Sequence, residues 1–378
     1  MTAGPAEPRR LTILELDTER GWRGGERQLL WHAQVLSRLG HRALIAARPG
    51  EPLAQRAQTL GIPVIPVAPV MELDPRAAWT LRKVIRRERV DIVHSHTAHG
   101  VALGALSCAG TNAKLVITRH SDFRPRSNPG SRWKYGRVDA LIAISSAARN
   151  AMVASGMSPA SITIVRGGSD QSTPIAPAPE STLQSLGATP GSPLVVQVSQ
   201  LVQHKDPLTF VGAIDTARAQ VPNIRAILVG DGPLRASVER AVAQRGLGEH
   251  LRLAGYRTDA DALLAAANVV TLSSEEDALP SVLFDALFCG KPICATSAGG
   301  VPEIIEHGVS GLLSPVGDAL ALGASIANVL TDPSLASALA AGARARASEF
   351  SIEQSVGRTI AVYERLLGAP IAGAIRDN

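Results

Sequence analysis

The sequence predicts an α/β protein of two domains, each an open parallel sheet flanked by helices. Three observations predict it. Short β-branched apolar runs alternate with helical stretches along the chain, and several joints between them are glycine loops. A stretch rich in Pro, Ser and Ala, residues 172–193 (STPIAPAPESTLQSLGATPGSP), divides the chain near its middle and reads as a linker. The 378 residues suffice for about two domains with full cores. With 45% hydrophobic but only 3% aromatic residues, those cores must be aliphatic.

In the first half, Met1–Arg10 reads as a tail and Leu11–Leu16 as the first strand. The loop Gly21-Trp22-Arg23-Gly24-Gly25-Glu26-Arg27 follows, then a helix with apolar residues at Leu29, Leu30, Ala33 and Leu36 that stops at Gly40. Its glycine spacing is not G-x-G-x-x-G and no acid follows in the right context, which excludes a nicotinamide dinucleotide site. Glycines here suit either close backbone approach to a ligand or an ordinary tight turn. Strands are expected at Ala43–Ala46 and Val64–Val67. The helix around Ala77–Arg89 then carries Arg82, Lys83, Arg86, Arg87 and Arg89, a pattern that fits an anionic lipid surface or a solvated face. Asp91–His96 is a strand ending in His94 and His96, whose i, i+2 spacing fits a metal but lacks a third ligand nearby in sequence. Lys114–Thr118 is another strand, ending in Arg119-His120-Ser121-Asp122. Arg124–Arg137 interleaves cations with Trp133 and Tyr135; in isolation this fits nucleic acid, and in an α/β domain an acceptor pocket or a membrane-facing rim. Ala140–Ile144 and Ile162–Val165 complete the first set of strands, with Ser145-Ser146 capping a helix between them.

The second half opens on the strand Leu194–Val198, followed by Ser199-Gln200-Leu201-Val202-Gln203-His204-Lys205-Asp206. Ala226–Val229 leads into Gly230-Asp231-Gly232-Pro233-Leu234, and Leu251–Leu253 into Gly255-Tyr256-Arg257. Val269–Leu272 is a buried strand whose carboxyl end opens into the acidic loop Ser273–Leu279. Pro280 suits the first turn of a helix over Ser281–Cys289 that stops at Gly290. Pro292–Thr296 is the next strand, and a second helix opens near Pro302 after the turn Gly299-Gly300. Two helix N-termini thus fall at one sheet edge, where open α/β sheets bind ligands and exposed N–H groups attract anions. Asp277 and Asp285 stand eight positions apart across the loop and the helix, while Glu275 and Glu276 read as solvated loop acids. A carboxylate accepts two hydroxyl hydrogen bonds at once, which suits a vicinal diol. Long Ala/Leu helices end the chain, the last over Ile352–Leu367.

Asp277, Asp285 and their neighbours resemble the E-x7-E signature of glycosyltransferase family 4, retaining enzymes of the GT-B fold, with both glutamates replaced by aspartates. The surrounding words are similar too: S-S-x-E-D-A-L-P-S-V-L-F-D-A, C-G-K-P and G-G-V-P-E-I-I, with G-G-E-R, D-x-V-H, G-D-G-P-L and a G-L-L turn within Gly308–Leu313 elsewhere. The resemblance spans about residues 11–367 and implies two Rossmann-like domains facing each other across a cleft. It divides the chain into residues 1–171 (acceptor side), 172–193 (linker), 194–351 (nucleotide-sugar side) and 352–378, whose helix crosses back to the first domain. It also implies site roles. Asp277 and the backbone of Ala278, Leu279, Pro280, Ser281 and Val282 would meet the donor sugar and diphosphate, and Asp285 the ribose hydroxyls. Ser199, Gln200, Lys205 and Gly230 would line the diphosphate, Gly24 and Gly25 would approach it from the first domain, and Tyr256 and Arg257 would read the base. His120 would lie near the transferred sugar and, with Lys205 and Asp277, serve catalysis. The family reads V-G-R-L-x-x-x-K-G where this chain has Gln200 in place of the arginine and retains Lys205; a neutral amide cannot neutralise a pyrophosphate, so Lys205 and helix N-termini carry more of that task.

Charge is uneven. Residues 1–170 hold 24 Lys and Arg against 13 Asp and Glu, +11, and the remainder 14 against 20, −6, in keeping with the overall +5. A basic first half fits an anionic surface or acceptor, and Arg-biased composition is the competing explanation. No apolar run approaches a membrane span, and Cys108, Cys289 and Cys294 lack metal spacing and read as buried thiols of a reducing cytoplasm. The expectation is a cytoplasmic transferase, attached to the inner membrane face or free of it, that moves a sugar from a nucleotide-diphosphate-sugar to a hydroxyl of a glycan or lipid-linked acceptor. No metal, cofactor or nucleic acid is expected, and envelope polysaccharide such as lipopolysaccharide is the expected context. A nucleotide-sugar epimerase or hydrolase of the same fold, or a catalytically silent binding protein, are the alternatives.

Overall fold

The computed structural model describes residues 8–121, 128–170 and 172–376. Most of the tail Met1–Arg10, the end of the Arg119–Asp122 motif and the start of the Arg124–Arg137 segment lie outside them. The chain divides into two units, Met1–Asp170 with Ser351–Asn378, and Gln171–Phe350. Each is built on one sheet in which every strand pairing is parallel. Parallel pairing demands a crossover between neighbours, and helices supply it, burying both faces of the sheet.

In the first unit the strands are β1 (Thr12–Leu16), β2 (Arg42–Ala47), β3 (Val64–Pro66), β4 (Ile92–Ser95), β5 (Lys114–Arg119), β6 (Ala140–Ala143) and β7 (Ile162–Ile164), in the order β3-β2-β1-β4-β5-β6-β7. In the second they are β8 (Leu194–Val198), β9 (Arg225–Val229), β10 (Leu251–Gly255), β11 (Val269–Leu272), β12 (Ile293–Thr296) and β13 (Leu312–Ser314), in the order β10-β9-β8-β11-β12-β13. Strand order reverses once in each sheet, between β1 and β4 and between β8 and β11. There the outgoing loops of adjacent strands run in opposite directions and leave a crevice at the carboxyl edge.

The helix Ile352–Leu367 belongs to the first unit. Ile352, Val356, Ile360 and Tyr363 recur at helical spacing and join the core formed by Ile13, Leu29, Leu36 and Ile45. Ser351 caps its start by accepting from the Gln354 N–H at 3.2 Å, and Gly368, with φ +63°, ends it. Its first residue donates to the Ser169 carbonyl at 2.9 Å. Gln28, in the helix Gly24–Arg38, pairs its side-chain amide with both backbone groups of Gly168, donating to the carbonyl at 2.5 Å and accepting from the N–H at 3.1 Å.

Two differences from the sequence expectation have clear causes. Residues 172–193 fall within the second unit: Glu180–Ser185 forms a helix, the Ala178 N–H donates to the Ala262 carbonyl at 2.8 Å, and Leu186 and Ala188 are buried. Proline richness there marks a covering strap, because its few apolar side chains suffice to anchor it. Pro280 stands one position before its helix, its ψ of 111° keeping it extended as the N-cap of Ser281–Phe288.

A Cβ on Gly168 would lie 2.4 Å from the Ser351 carbonyl group, so the backbone there would have to part. Gly168→Ala is expected to destabilise the first unit by about 1–3 kcal/mol, read as a lowered denaturation midpoint together with faster amide exchange in the helix Ile352–Leu367.

Candidate functional site

At the carboxyl edge of the second sheet, β8 and β11 send out the loops that carry most of the expected donor residues. After β8 the Ser199 N–H donates to the Val229 carbonyl at 2.9 Å, and Gln200 is exposed. Gly230 has φ +134°, and a Cβ on it would lie 1.9 Å from the Ser199 carbonyl oxygen, so only glycine lets the β8 and β9 loops meet. A short 3-10 turn, Gln203–Lys205, precedes Asp206, which adopts the left-handed conformation (φ +38°) and caps the helix Pro207–Arg218 through the Thr209 N–H at 3.1 Å.

The two loops are tied together by main-chain and hydroxyl bonds. The His204 carbonyl accepts from the Glu275 and Glu276 N–H groups at 2.9 and 3.1 Å. The Ser273 hydroxyl donates to the Asp206 carbonyl at 2.7 Å, and the Thr296 hydroxyl to the Ser274 carbonyl at 2.6 Å. This frame brings the Lys205 ammonium onto the Asp277 carboxylate across 72 residues of sequence, with the Ser274 hydroxyl donating to the same oxygen at 3.3 Å. Both charged side chains are largely buried. Glu275 and Glu276 face solvent.

Ala278, Leu279 and Pro280 are buried, and Ser281 and Val282 open the helix Ser281–Phe288 half-buried. No side chain caps that helix. Its first turn therefore presents main-chain donors and the positive end of the helix dipole beside Asp277. Asp285 is buried about one turn further on. At the β10 end, the Gly230 N–H donates to the Gly255 carbonyl at 2.8 Å, which sets Tyr256 beside the glycine turn. Tyr256 is exposed, and Arg257 is fixed by a bidentate pair with Asp259 at 2.7 and 2.6 Å.

In the first unit, Gly24 and Gly25 open the helix Gly24–Arg38, with the Glu26 carboxylate accepting from the Arg23 N–H at 2.8 Å. His120 follows β5 at the carboxyl edge, and its Nε2 lies 3.0 Å from Nδ1 of His96, which follows β4. His96 Nε2 lies 2.6 Å from a carboxylate oxygen of Glu15, the buried acid one residue before the carboxyl end of β1. The other oxygen of Glu15 is 2.7 Å from His32 Nδ1. His94 bridges the Tyr363 and Thr118 hydroxyls at 2.6 and 2.7 Å.

Glu15, His94 and His96 have donor atoms close enough together to be weighed as a metal centre. The 2.6 Å carboxylate–imidazole contact is a direct hydrogen bond. Two ligands on a tetrahedral zinc, each about 2.0–2.1 Å from the ion, would stand roughly 3.3 Å apart. His94 has both ring nitrogens committed to hydroxyls, so the cluster is a hydrogen-bonded network.

Sequence reasoning missed Glu15, Asp17, His32 and Tyr363. Only Glu15 carried a signal, an acid inside the aliphatic strand TILEL. Burial pushes the Asp17 carboxyl up to about 7, against the opposing hydrogen bond from the Glu19 N–H at 2.8 Å.

Residues 22–172 match the family described as Glycosyltransferase Family 4, and residues 180–346 match Glycosyl transferases group 1. The chain belongs to this glycosyltransferase family. Among curated relatives, the N-acetyl-alpha-D-glucosaminyl L-malate synthase of Bacillus anthracis is 27% identical over 306 residues, covering 78% of this chain and 80% of that one. The lipopolysaccharide core biosynthesis glycosyltransferase LpsD of Rhizobium meliloti is 32% identical over 180 residues, 47% of this chain and 51% of its own length. Solved structures of Anabaena Alr3699/HepE superpose with a TM-score of 0.81. Its complex with UDP is 23% identical, covering 94% of this chain and all of that one; its complex with UDP-glucose is 25% identical, covering 93% and again all of that chain. The fold is GT-B.

Between about pH 4 and 7 the folded protein holds a proton on Asp17 that the unfolded chain has released, so this group makes stability fall as pH rises through that window. Asp17→Asn, permanently neutral, should stabilise the protein relative to the wild type by on the order of 2–4 kcal/mol more at pH 8 than at pH 4, as followed by denaturant titration at the two pH values.

Proposed function

We propose that the protein transfers a sugar from a nucleotide-diphosphate-sugar to a hydroxyl of a glycan or lipid-linked acceptor, with retention of anomeric configuration and without a metal ion. The observation that carries this reading is the Lys205–Asp277 pair beside the uncapped first turn of the helix Ser281–Phe288, at the point where strand order reverses. A diphosphate placed there meets an ammonium group, helix N–H donors and a low-dielectric wall. Such a field stabilises the charge that grows on the leaving group.

Asp277 holds the ammonium in position until the donor arrives, and its loop amides follow the sugar. Asp285 offers its carboxylate to the ribose diol, and the Gly255–Arg257 edge offers backbone groups to the base. The leaving phosphate oxygen takes the acceptor proton on the face from which the bond breaks. Anabaena HepE, whose structures hold UDP and UDP-glucose, supports a nucleoside-diphosphate donor. LpsD, a lipopolysaccharide core enzyme by name, supports an envelope context.

The exposed, neutral Gln200 favours a second reading, donor binding without transfer, and one experiment separates the two. Purified protein is screened by calorimetry against common nucleotide-sugars, then assayed for product in excess chelator with the product anomer read by NMR. Transfer with a retained anomer is expected; binding without transfer to any acceptor selects the second reading, and strict metal dependence or inversion overturns the first. Lys205→Ala should weaken donor affinity by about 10–100-fold, the scale of hydrogen bonds to charged groups.

A lipid surface fits the first unit. Val70, Met71, Leu73 and Trp79 are exposed, Val70 by 85% and Trp79 by 59%, around a groove of about 610 Å³ between Pro66 and Thr80. Lys83 lies over the Trp79 ring, and Arg76 and Arg87 stand on the same helix, Pro75–Arg87. Arg82 and Arg86 instead turn onto the Leu106 and Gly110 carbonyls. Apolar tips beside Arg76 and Lys83, with Glu72 among them paired to Lys134 and Arg87 paired to Glu88, suit the interfacial layer of an anionic bilayer at the cytoplasmic face. Among the described residues no single helix is long and apolar enough to cross a membrane. The protein should sediment with vesicles containing phosphatidylglycerol but not with neutral ones, and Met71→Asp with Trp79→Ala should abolish this; equal binding to both vesicle types would refute it.

A further inference from the structure

The strand β8, LVVQV, carries an amide among its aliphatic residues, one position before its carboxyl end. Gln197 is wholly buried there. It stands in register with Thr271 of β11. The registered pair two residues earlier on the same face, Val195 and Val269, packs in the core with Phe210 and Ile214 of the helix Pro207–Arg218. An aliphatic side chain would fill such a place. The amide costs more, because Gln197 Oε1 and Thr271 Oγ1 are buried and have no hydrogen-bond partner among the described residues.

What the amide holds is set by carbonyls, which can only accept. The Ser273 hydroxyl has one proton, and the Asp206 carbonyl oxygen lies 2.7 Å from it, with the Lys205 carbonyl at 3.3 Å. The hydroxyl therefore donates to the carbonyls and accepts from Gln197, whose Nε2 is 3.0 Å away. A flipped amide would set Oε1 against the Ser273 lone pairs. The same Nε2 donates to the Ser199 hydroxyl at 3.2 Å. A chain of bonds thus runs from the interior of the sheet to the two carbonyls at and just after Lys205.

That stretch of backbone is strained. Asp206 takes the left-handed conformation, φ +38°, which a residue with a Cβ keeps only where its surroundings compensate. It closes the 3-10 turn Gln203–Lys205 and starts the helix Pro207–Arg218, so its backbone decides where the Lys205 side chain leaves the main chain. We infer that Gln197 is a positioning residue for Lys205. Acting through the Ser273 hydroxyl, it holds the left-handed turn at Asp206 and so aims the ammonium at the place a diphosphate takes beside Asp277. This role rests on the proposed donor site, because Lys205 is the group that it serves. Gln197 itself touches no substrate.

The test is a calorimetric double-mutant cycle. UDP, GDP, ADP and dTDP are titrated into the wild-type protein, and the tightest binder is kept as the probe. Gln197→Met, of similar volume and without an amide, should bind it about 3–10-fold more weakly, the scale of one net hydrogen bond. In a Lys205→Ala background the same substitution should change nothing, since no ammonium is left to aim. A merely structural amide would cost the same in both backgrounds. Wild-type affinity in Gln197→Met, or an equal loss in both backgrounds, overturns the inference. Ser273→Ala breaks the same chain at its middle; it should reproduce the loss, and it takes the place of Gln197→Met in the cycle if that variant does not fold. Failure of the donor site itself shows separately, as a wild-type protein that binds none of the four nucleotides.

Discussion

Parallel pairing is the constraint on which the rest of this molecule depends. It sends every crossover over a sheet face as a helix and gathers every strand's carboxyl end on one edge. It also makes the reversal of strand order the one place where adjacent outgoing loops diverge. Both sheets reverse between the first strand of the unit and a later one, β1 with β4 and β8 with β11. The Lys205–Asp277 pair and the Glu15–histidine cluster grow from these two places. Their positions follow from the topology, and only their chemistry from the residues.

That chemistry differs between the two sheets. At the β8/β11 edge the polar groups are an ion pair, Lys205 with Asp277, set among hydroxyls and backbone amides. An ion pair at such an edge is responsive, because an incoming anion competes for the ammonium and an incoming hydroxyl for the carboxylate. At the β1/β4 edge the groups are imidazoles arranged around a single buried carboxylate, with His94 held between two hydroxyls. That network is nearly closed, because Glu15 meets His32 and His96 through its two oxygens. One edge suits binding a highly charged ligand; the other suits holding a neutral polar group still.

The fold was legible because its signal is local. The strands Leu194–Val198 and Val269–Leu272 and the helix Ile352–Leu367 have the bounds that their apolar spacing implies. Gly230 and Gly290 mark turns because both take positive φ. The strap 172–193 was harder to read, since proline richness reports a lack of long regular structure and says nothing about docking. Of the second-unit residues, Lys205 and Asp277 stand out by their motif words, yet nothing in the sequence says that they touch. The first unit was least legible. His96 and His120 sit at strand ends, but Glu15, His32 and Tyr363 reach them from β1, from the helix Gly24–Arg38 and from the last helix of the chain. Contacts between residues 17 to 269 positions apart leave no periodicity to detect.

The departures Gln200, Asp277 and Asp285 bear on how positive charge is supplied at the second edge. Losing a guanidinium removes a cation that keeps its charge at every working pH. The acidic second half, at −6, gives no general compensation. Among the described residues, what stands there is local: an ammonium fastened to the Asp277 carboxylate, and the start of the helix Ser281–Phe288, which no side chain caps. On the proposed reading, part of the free energy of gathering charge goes into breaking the Lys205–Asp277 pair as the donor binds. An aspartate in place of the longer glutamate keeps that pair close to the main chain, within reach of the Ser274 hydroxyl. On that reading, an ammonium released from Asp277 would have a short path to an anion at the helix turn, and the carboxylate would retain its hydroxyl partner. The shortened acid and the missing arginine are consistent with each other, because a single cation acts most strongly when its resting place and its working place adjoin.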